Sequence, residues 1–214
     1  MNKHLMPWVF AIGLALPALS GCAGKGEVVT LDVGAIPAKG QSTLRKDDMK
    51  ALVMTFEDQR PEKKTIGYRT HIGGGRTYFT VANNKPGEVI AQVLADYLKQ
   101  KGWRTWVSPA GGAVVPNPAG GLDVTLSGQV LEFSANAKSK FGSTDLTVKT
   151  KVAIQAQNTA DGSIARMTLN GSRSQSVFLF SPEDVQEAIN QMLKESVERL
   201  LADAKIENRL LQVQ

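Results

Sequence analysis

Cys22 is the one thiol in the chain, and it stands directly behind Leu19-Ser20-Gly21. A thiol there is the strongest nucleophile the chain offers, able to form a thioether or a disulfide, and small residues stand directly before it. Other groups able to do chemistry are sparse. The chain holds two histidines, and His4 falls in an N-terminal stretch laid out like a removable secretory signal, so His71 alone would have to serve any Ser-His-Asp or Cys-His arrangement. No G-x-S-x-G segment offers a serine nucleophile. One cysteine closes no intramolecular disulfide, and with two histidines it cannot fill a structural zinc site.

Gly73-Gly74-Gly75-Arg76-Thr77 lacks the spacing of a phosphate-binding loop and reads as a turn. Two carboxylate pairs have simpler explanations than acid–base work. Glu57 and Asp58 are adjacent, so a strand sends them to opposite faces, and Glu183 and Asp184 fit the first turn of a helix, where the dipole favours acids. The expectation is a non-enzymatic protein with no metal and no cofactor.

Phe56, Asp58 and Arg60 are spaced by two and share one side of a strand if it runs that far. They form a candidate partner-docking corner; the plainer alternative is a local Asp58–Arg60 ion pair that fixes the turn at Pro61. Lys149, Lys151 and Arg166 are expected on a solvated strand face. Asn170-Gly171-Ser172 matches a glycosylation sequon by chance.

Lys3 precedes an apolar run from Trp8 to Leu19, and Ser20 and Gly21 follow, which is the layout of a secretory signal. About a dozen apolar residues fall short of the roughly 20 that a spanning helix needs. The Leu19-Ser20-Gly21-Cys22 segment resembles a bacterial lipobox. That resemblance implies cleavage before Cys22 and anchoring through acyl chains, each buried CH2 contributing about 0.8 kcal/mol. Ala23, rather than Asp, after the cysteine implies the periplasmic face of the outer membrane in preference to the inner membrane. The net charge of +5 loses one lysine with residues 1–21 and becomes +4, with basic residues scattered along the chain. Nucleic acid is therefore not an expected partner.

The elements that must carry these groups follow from periodicity. Residues 22–47 are expected to be the acylated N-terminus and a flexible tether, with Val28 to Leu31 as a short edge strand. A single domain is expected over 48–205 and a tail over 206–214. Met49 to Glu57 reads as a strand, with two more at Ile66 to Thr70 and Thr77 to Val81 around the glycine turn. Val89, Ile90, Val93, Leu94, Tyr97 and Leu98 share one helix face, with Asn84 as expected cap, Gly102 as stop and Trp103 packing back.

Trp103 to Val107 reads as the next strand, and the Pro- and Gly-rich stretch 108–121 as a long loop of the kind that carries function. Leu122, Val124, Leu126 and Val130 alternate, then the phase moves to Leu131 and Phe133, which predicts a β-bulge. Leu146, Val148, Thr150, Val152, Ile154 and Ala156 alternate cleanly with polar residues, and Asp161-Gly162 supplies a turn into a strand over Ile164 to Leu179. In that strand Met167, Leu169, Val177 and Leu179 share a face. Ser181-Pro182-Glu183-Asp184 then opens a second helix, with Phe180 and Val185 spaced as a hydrophobic staple. This predicts an α+β domain of two layers, a mainly antiparallel sheet with two amphipathic helices on one face.

From the lipobox to about Leu201 the layout resembles the YajG-type family of outer-membrane lipoproteins. The resemblance rests on the strand from Leu146 to Ile154, the polar hairpin, the third strand, the helix opened by Ser181-Pro182-Glu183-Asp184, and the helix ending in Lys101-Gly102-Trp103. It implies location and fold, and brings no activity or catalytic residues. The expected role is a periplasmic binding module that docks a protein of the envelope machinery through a sheet edge or the 108–121 loop. Alternatives are a lipid or glycolipid carrier, an auxiliary lipoprotein of an ABC-type transport system, an activator of peptidoglycan synthases, and a cell-wall hydrolase that would need His71.

Overall fold

The computed structural model describes residues 26–34, 49–108, 121–207 and 209–213. Gly21, Cys22 and loop positions 109–120 lie outside the described residues.

Among the described residues, eleven strands and two α-helices follow in chain order. They are β1 (Glu27–Leu31), β2 (Lys50–Met54), β3 (Glu57–Asp58), β4 (Gly67–Thr70), β5 (Arg76–Val81), α1 (Pro86–Gln100), β6 (Arg104–Ser108), β7 (Val124–Lys140), β8 (Ser143–Asn158), β9 (Ile164–Val177), α2 (Pro182–Ala202), β10 (Ala204–Glu207) and β11 (Leu210–Val213). The class is α+β, as the alternation and the two amphipathic stripes predict.

Three long strands, β7, β8 and β9, form the antiparallel meander. The rest of the main sheet departs from the antiparallel expectation. The free edge of β7 is taken in succession by β2 at Val124–Leu126, β3 at Gln129–Val130 and β4 at Ala135–Lys138, all parallel to it. β6 joins β2 and β1 joins β5, again parallel, while β4 and β5 form an antiparallel hairpin. The sheet is therefore mixed. The expected bulge is present: register shifts between Val130 and Glu132, leaving Leu131 as the extra residue. Leu131 does not join the buried face, as the phase shift suggested; it is 39% exposed, while Phe133 resumes the inward phase.

Side-chain alternation decides what is buried. Leu146, Val148, Thr150, Val152, Ile154 and Ala156 of β8 are all buried, and Lys149, Lys151, Gln155 and Gln157 are exposed. Above the buried face lie Ile90, Val93, Leu94, Tyr97 and Leu98 of α1 and Val185, Ile189, Met192, Leu193 and Val197 of α2, in one continuous core. Leu179 falls beyond β9 and is exposed, so the apolar face of that strand ends at Val177.

Helix ends are set by local chemistry. Gly102, at φ +91°, lets the Trp103 N–H reach Leu98 O at 3.1 Å and its own N–H reach Lys99 O at 3.0 Å, the paired bonds of a Schellman stop. The start of α1 differs from expectation: Lys85 is the N-cap and Pro86 the first helical residue. Asn84 instead sits at φ +53° and accepts from Thr80 Oγ1 at 3.0 Å while donating to Lys63 O at 3.0 Å. For α2, Ser181 is the N-cap, and its backbone N–H donates to Asp184 Oδ2 at 2.7 Å within a capping box. Phe180 packs on the Phe79 ring at 6.4 Å between centroids.

The short edge strand expected at Val28 to Leu31 is present as β1, parallel to β5 at the edge of the main sheet with Leu31 buried, so the folded part begins before residue 48. The expected tail over 206–214 contains most of a β10–β11 hairpin. Leu211, 2% exposed, is held from both sides by the Asn158 amide: its N–H donates to Oδ1 at 2.9 Å, and its carbonyl accepts from Nδ2 at 3.0 Å.

Candidate functional site

The segment Phe56-Glu57-Asp58-Gln59-Arg60 crosses from the β2 end to the bulge of β7, held there by the β3 pairing and by Gln59 N–H donating to Val130 O at 2.9 Å. Phe56 is 3% exposed, and its ring lies where a Cβ on Gly128 would come within 3.1 Å of Cδ1. Arg60 is 4% exposed. Its Nε and Nη2 donate to the two oxygens of Asp58 at 2.9 Å each, and Nη1 donates to Thr65 O at 3.0 Å and Phe133 O at 3.3 Å.

Asp58 also accepts from the Arg60 backbone N–H at 3.1 Å. Burial pushes the Asp58 carboxyl up, but the hydrogen bonds and charge of Arg60, with Lys63 nearby, outweigh it and leave the carboxyl below its ordinary value. Of the expected docking corner, Phe56 and Arg60 are thus buried and Asp58 alone is partly exposed. A partner approaching it meets the edge of Asp58, because Phe56 and Arg60 are spent on holding the crossing against β7.

What the corner does is wall one side of a recess of about 480 Å³ on the main sheet. Pro61, Thr65, Tyr68, Arg76, Tyr78, Leu131 and Asn136 line it. Tyr68 and Tyr78 face each other across the β4–β5 hairpin, and Asn136 follows as the next cross-strand partner of Tyr68. The two tyrosine rings meet edge-on at 6.2 Å, and the Arg76 guanidinium lies 4.4 Å above the Tyr68 ring. Tyr78 projects opposite to its neighbour Phe79, which is fully buried in the core against Phe180, the residue before the Ser181 cap of α2. The recess therefore opens on the sheet face turned away from that core.

These tyrosines escaped the sequence reading, although a signal was available. A hairpin folded about Gly73 sets Tyr68 opposite Tyr78 and Thr70 opposite Arg76, the register observed. The glycine turn itself is as expected, closed by His71 N–H to Gly75 O at 2.9 Å. His71 Nε2 shares a hydrogen bond with Thr77 Oγ1 at 2.9 Å, which ties the imidazole to its own hairpin.

Lys149 and Lys151 share the exposed face of β8, but Arg166 pairs in register with Gln155, four residues farther along. The three cations therefore form no single cluster. A second recess, about 370 Å³, lies where Lys101 and Trp103 meet the end of α2 and the β10–β11 hairpin, with Leu201, Ile206 and Leu211 in its wall. Among the described residues no group of three or more His, Cys, Asp or Glu side chains is placed to hold a metal ion, and no helix is long and apolar enough to cross a membrane.

Comparison with known proteins agrees on the fold. The crystal structure of XCC0632 from Xanthomonas campestris, of the DUF330 family, is similar at a TM-score of 0.50 and 10% identity, covering 81% of this chain and 92% of that one. Weaker likenesses, both at a TM-score of 0.37, are to lipoprotein GNA1162 of Neisseria meningitidis and to a neuraminyllactose-binding hemagglutinin homolog of Helicobacter pylori. The first is 15% identical, covering 72% of this chain and 98% of that one; the second is 7% identical, covering 78% and 88%. No curated protein matches. A family model described as "uncharacterized lipoprotein" (Lipoprotein_16) matches residues 41–211, which take in nearly all of the described fold from β2 to β11. The chain belongs to this lipoprotein family, the YajG family.

Proposed function

We propose that this protein is acylated at Cys22, stands on the periplasmic face of the outer membrane, and acts as a non-enzymatic module that binds a protein of the envelope machinery. The observation that carries the reading is the Tyr68–Arg76–Tyr78 recess. Tyrosine and arginine are, with tryptophan, enriched among the residues that carry most binding energy at protein interfaces, and tyrosine buries a large flat group at little cost in side-chain entropy. Here they are arranged on a rigid hairpin, with the buried Arg60–Asp58 pair fixing the wall beside them. The reading moves the docking surface from Phe56, Asp58 and Arg60 to the recess that they support.

A photoreactive residue at Tyr78, compared with one at Lys151, tests this in cells. A discrete envelope protein captured from position 78, with capture cut about tenfold by Arg76→Ala, supports the reading; tenfold corresponds to about 1.4 kcal/mol of binding. If position 78 captures no more protein than position 151, the recess is not the docking site. The captured protein also separates the roles of transport auxiliary and peptidoglycan-synthase activator.

The carrier reading is favoured by a different observation, the apolar recess walled by Trp103, Leu201, Ile206 and Leu211. Its size suits one acyl chain or a small apolar ligand. Lipid co-purifying with the protein and displaced by Leu201→Trp would select this reading, and a lipid-free preparation would remove it.

A further inference from the structure

Four large apolar residues stand bare at one end of the sheet: Ile72 at 72% exposure, Phe141 at 100%, Phe178 at 79% and Leu179 at 83%. Strand register brings them together although they are far apart in sequence. Ile72 lies in the turn after β4, whose last residue Thr70 pairs with Lys138 of β7. Phe141 tops the next turn, between Lys140 and its partner Ser143. Phe178 and Leu179 follow Val177, which pairs with Thr144 of β8. β4, β7, β8 and β9 are consecutive neighbours, so the three tips fall along roughly 15 Å of sheet edge at about 4.8 Å per strand.

Local structure does not call for these side chains. The Phe141-Gly142 turn uses the glycine, at φ +77°, and any residue with ordinary φ fits at 141. An apolar group this exposed on several adjacent tips marks a surface that meets something other than water.

The path of the chain says what that is. β1 runs parallel to β5, so it enters the sheet beside the glycine turn, and Gly26 N–H donates to Arg76 O at 3.0 Å. Gly26 is thus at the same end as Ile72, Phe141, Phe178 and Leu179. Cys22 lies four residues before it, and four peptide steps reach at most about 15 Å. The opposite end, with Ile164, lies the length of β9 away, roughly 43 Å at 3.3 Å per residue.

We propose that this end of the sheet rests in the headgroup region of the membrane, with Phe141, Ile72, Phe178 and Leu179 dipping toward the acyl boundary. The proposal rests on acylation of Cys22. Three separate tips suit a lipid surface, which receives projecting side chains without needing a matched pocket, and the short link leaves this end no other position than beside the bilayer. The sheet then stands upright, with β7 and β8 directed away from the membrane and the 370 Å³ recess at the far end.

A benzophenone-bearing phenylalanine analogue placed at 141, 72 or 164 of the full chain in cells, followed by mass analysis, tests this. The expected result is phospholipid adducts at 141 and 72 at least tenfold above those at 164, in protein whose Cys22 peptide carries acyl chains. Acylated protein whose position 141 labels only proteins, a second copy of this chain included, or labels lipid no more than 164 does, overturns the membrane-facing assignment while leaving the anchor intact. A Cys22 peptide without acyl mass, read in the same sample, overturns the anchor reading and the orientation built on it.

Discussion

Arg60 closes both prongs of its guanidinium on Asp58, at 2.9 Å and 2.9 Å, and does so at 4% exposure with Asp58 still at 23%. The cation is the buried partner, and it also satisfies the Thr65 and Phe133 carbonyls. Removing the carboxylate would leave a desolvated charge without a counter-ion. Asp58→Ala is expected to cost about 2–4 kcal/mol in urea unfolding. Adding Arg60→Met should recover part of the loss, because the unpaired charge goes with it. A change below about 0.5 kcal/mol for Asp58→Ala would show that water screens the pair despite its burial.

The same carboxyl makes stability depend on pH with a definite sign. Burial raises the Asp58 value, Arg60 and Lys63 together lower it by more, and the net folded value lies below the ordinary 3.8. A depressed acid contributes stability that is complete above its unfolded value and is lost as pH falls through the folded one. The urea midpoint should therefore drop between about pH 5 and pH 2, and drop less in Asp58→Asn. Equal acid sensitivity in both proteins would assign the loss to other carboxylates.

Gly87 lies in the first turn of α1, where alanine would ordinarily be the better helix former by about 1 kcal/mol. A Cβ there would sit 1.9 Å from the carbonyl oxygen of Phe56, a backbone atom that cannot swing aside. Gly87→Ala should destabilise by about 2 kcal/mol or more, against the propensity trend. A gain in thermal midpoint would mean that α1 is free to shift off the β2–β3 crossing.

At the other end of α1, Gly102 holds φ +91°. Alanine in that left-handed position should cost about 1–2 kcal/mol. Gly74→Ala makes an informative comparison: its φ is +81° and a Cβ there meets nothing within 4 Å, so it isolates the backbone term. Similar losses in the two variants would assign the whole effect to φ, and an excess at Gly102 to the packing of Trp103 behind it.

Most expectations that rested on one segment's own periodicity or cap chemistry agree with the fold, Leu179 at the end of β9 being an exception. The two-residue repeat from Leu146 to Ala156, the phase change that predicts the bulge near Leu131, the Lys101-Gly102-Trp103 stop and the Ser181-Pro182 start are local statements, and each is present. Asn84 shows the limit even there: its side chain is taken by Thr80 and Lys63, and Lys85 and Pro86 open the helix instead.

Alternation determines which side of a strand a residue occupies; it carries no information about which edge that strand will join, or in which direction. The sequence by itself therefore determined the apolar faces of β8 and of the two helices, the stop of α1 and the start of α2, the glycine turns and the single thiol at Cys22. Tertiary structure alone decided that β2, β3 and β4 line up in parallel along β7, that Arg60 is buried, and that Tyr68 stands in a recess beside Leu131. It also gathered Ile72, Phe141 and Phe178 at the end where Gly26 enters the sheet. The physical reason is that hydrogen-bonded pairing between distant strands is set by how all the apolar faces close over one core, a condition that no single segment contains.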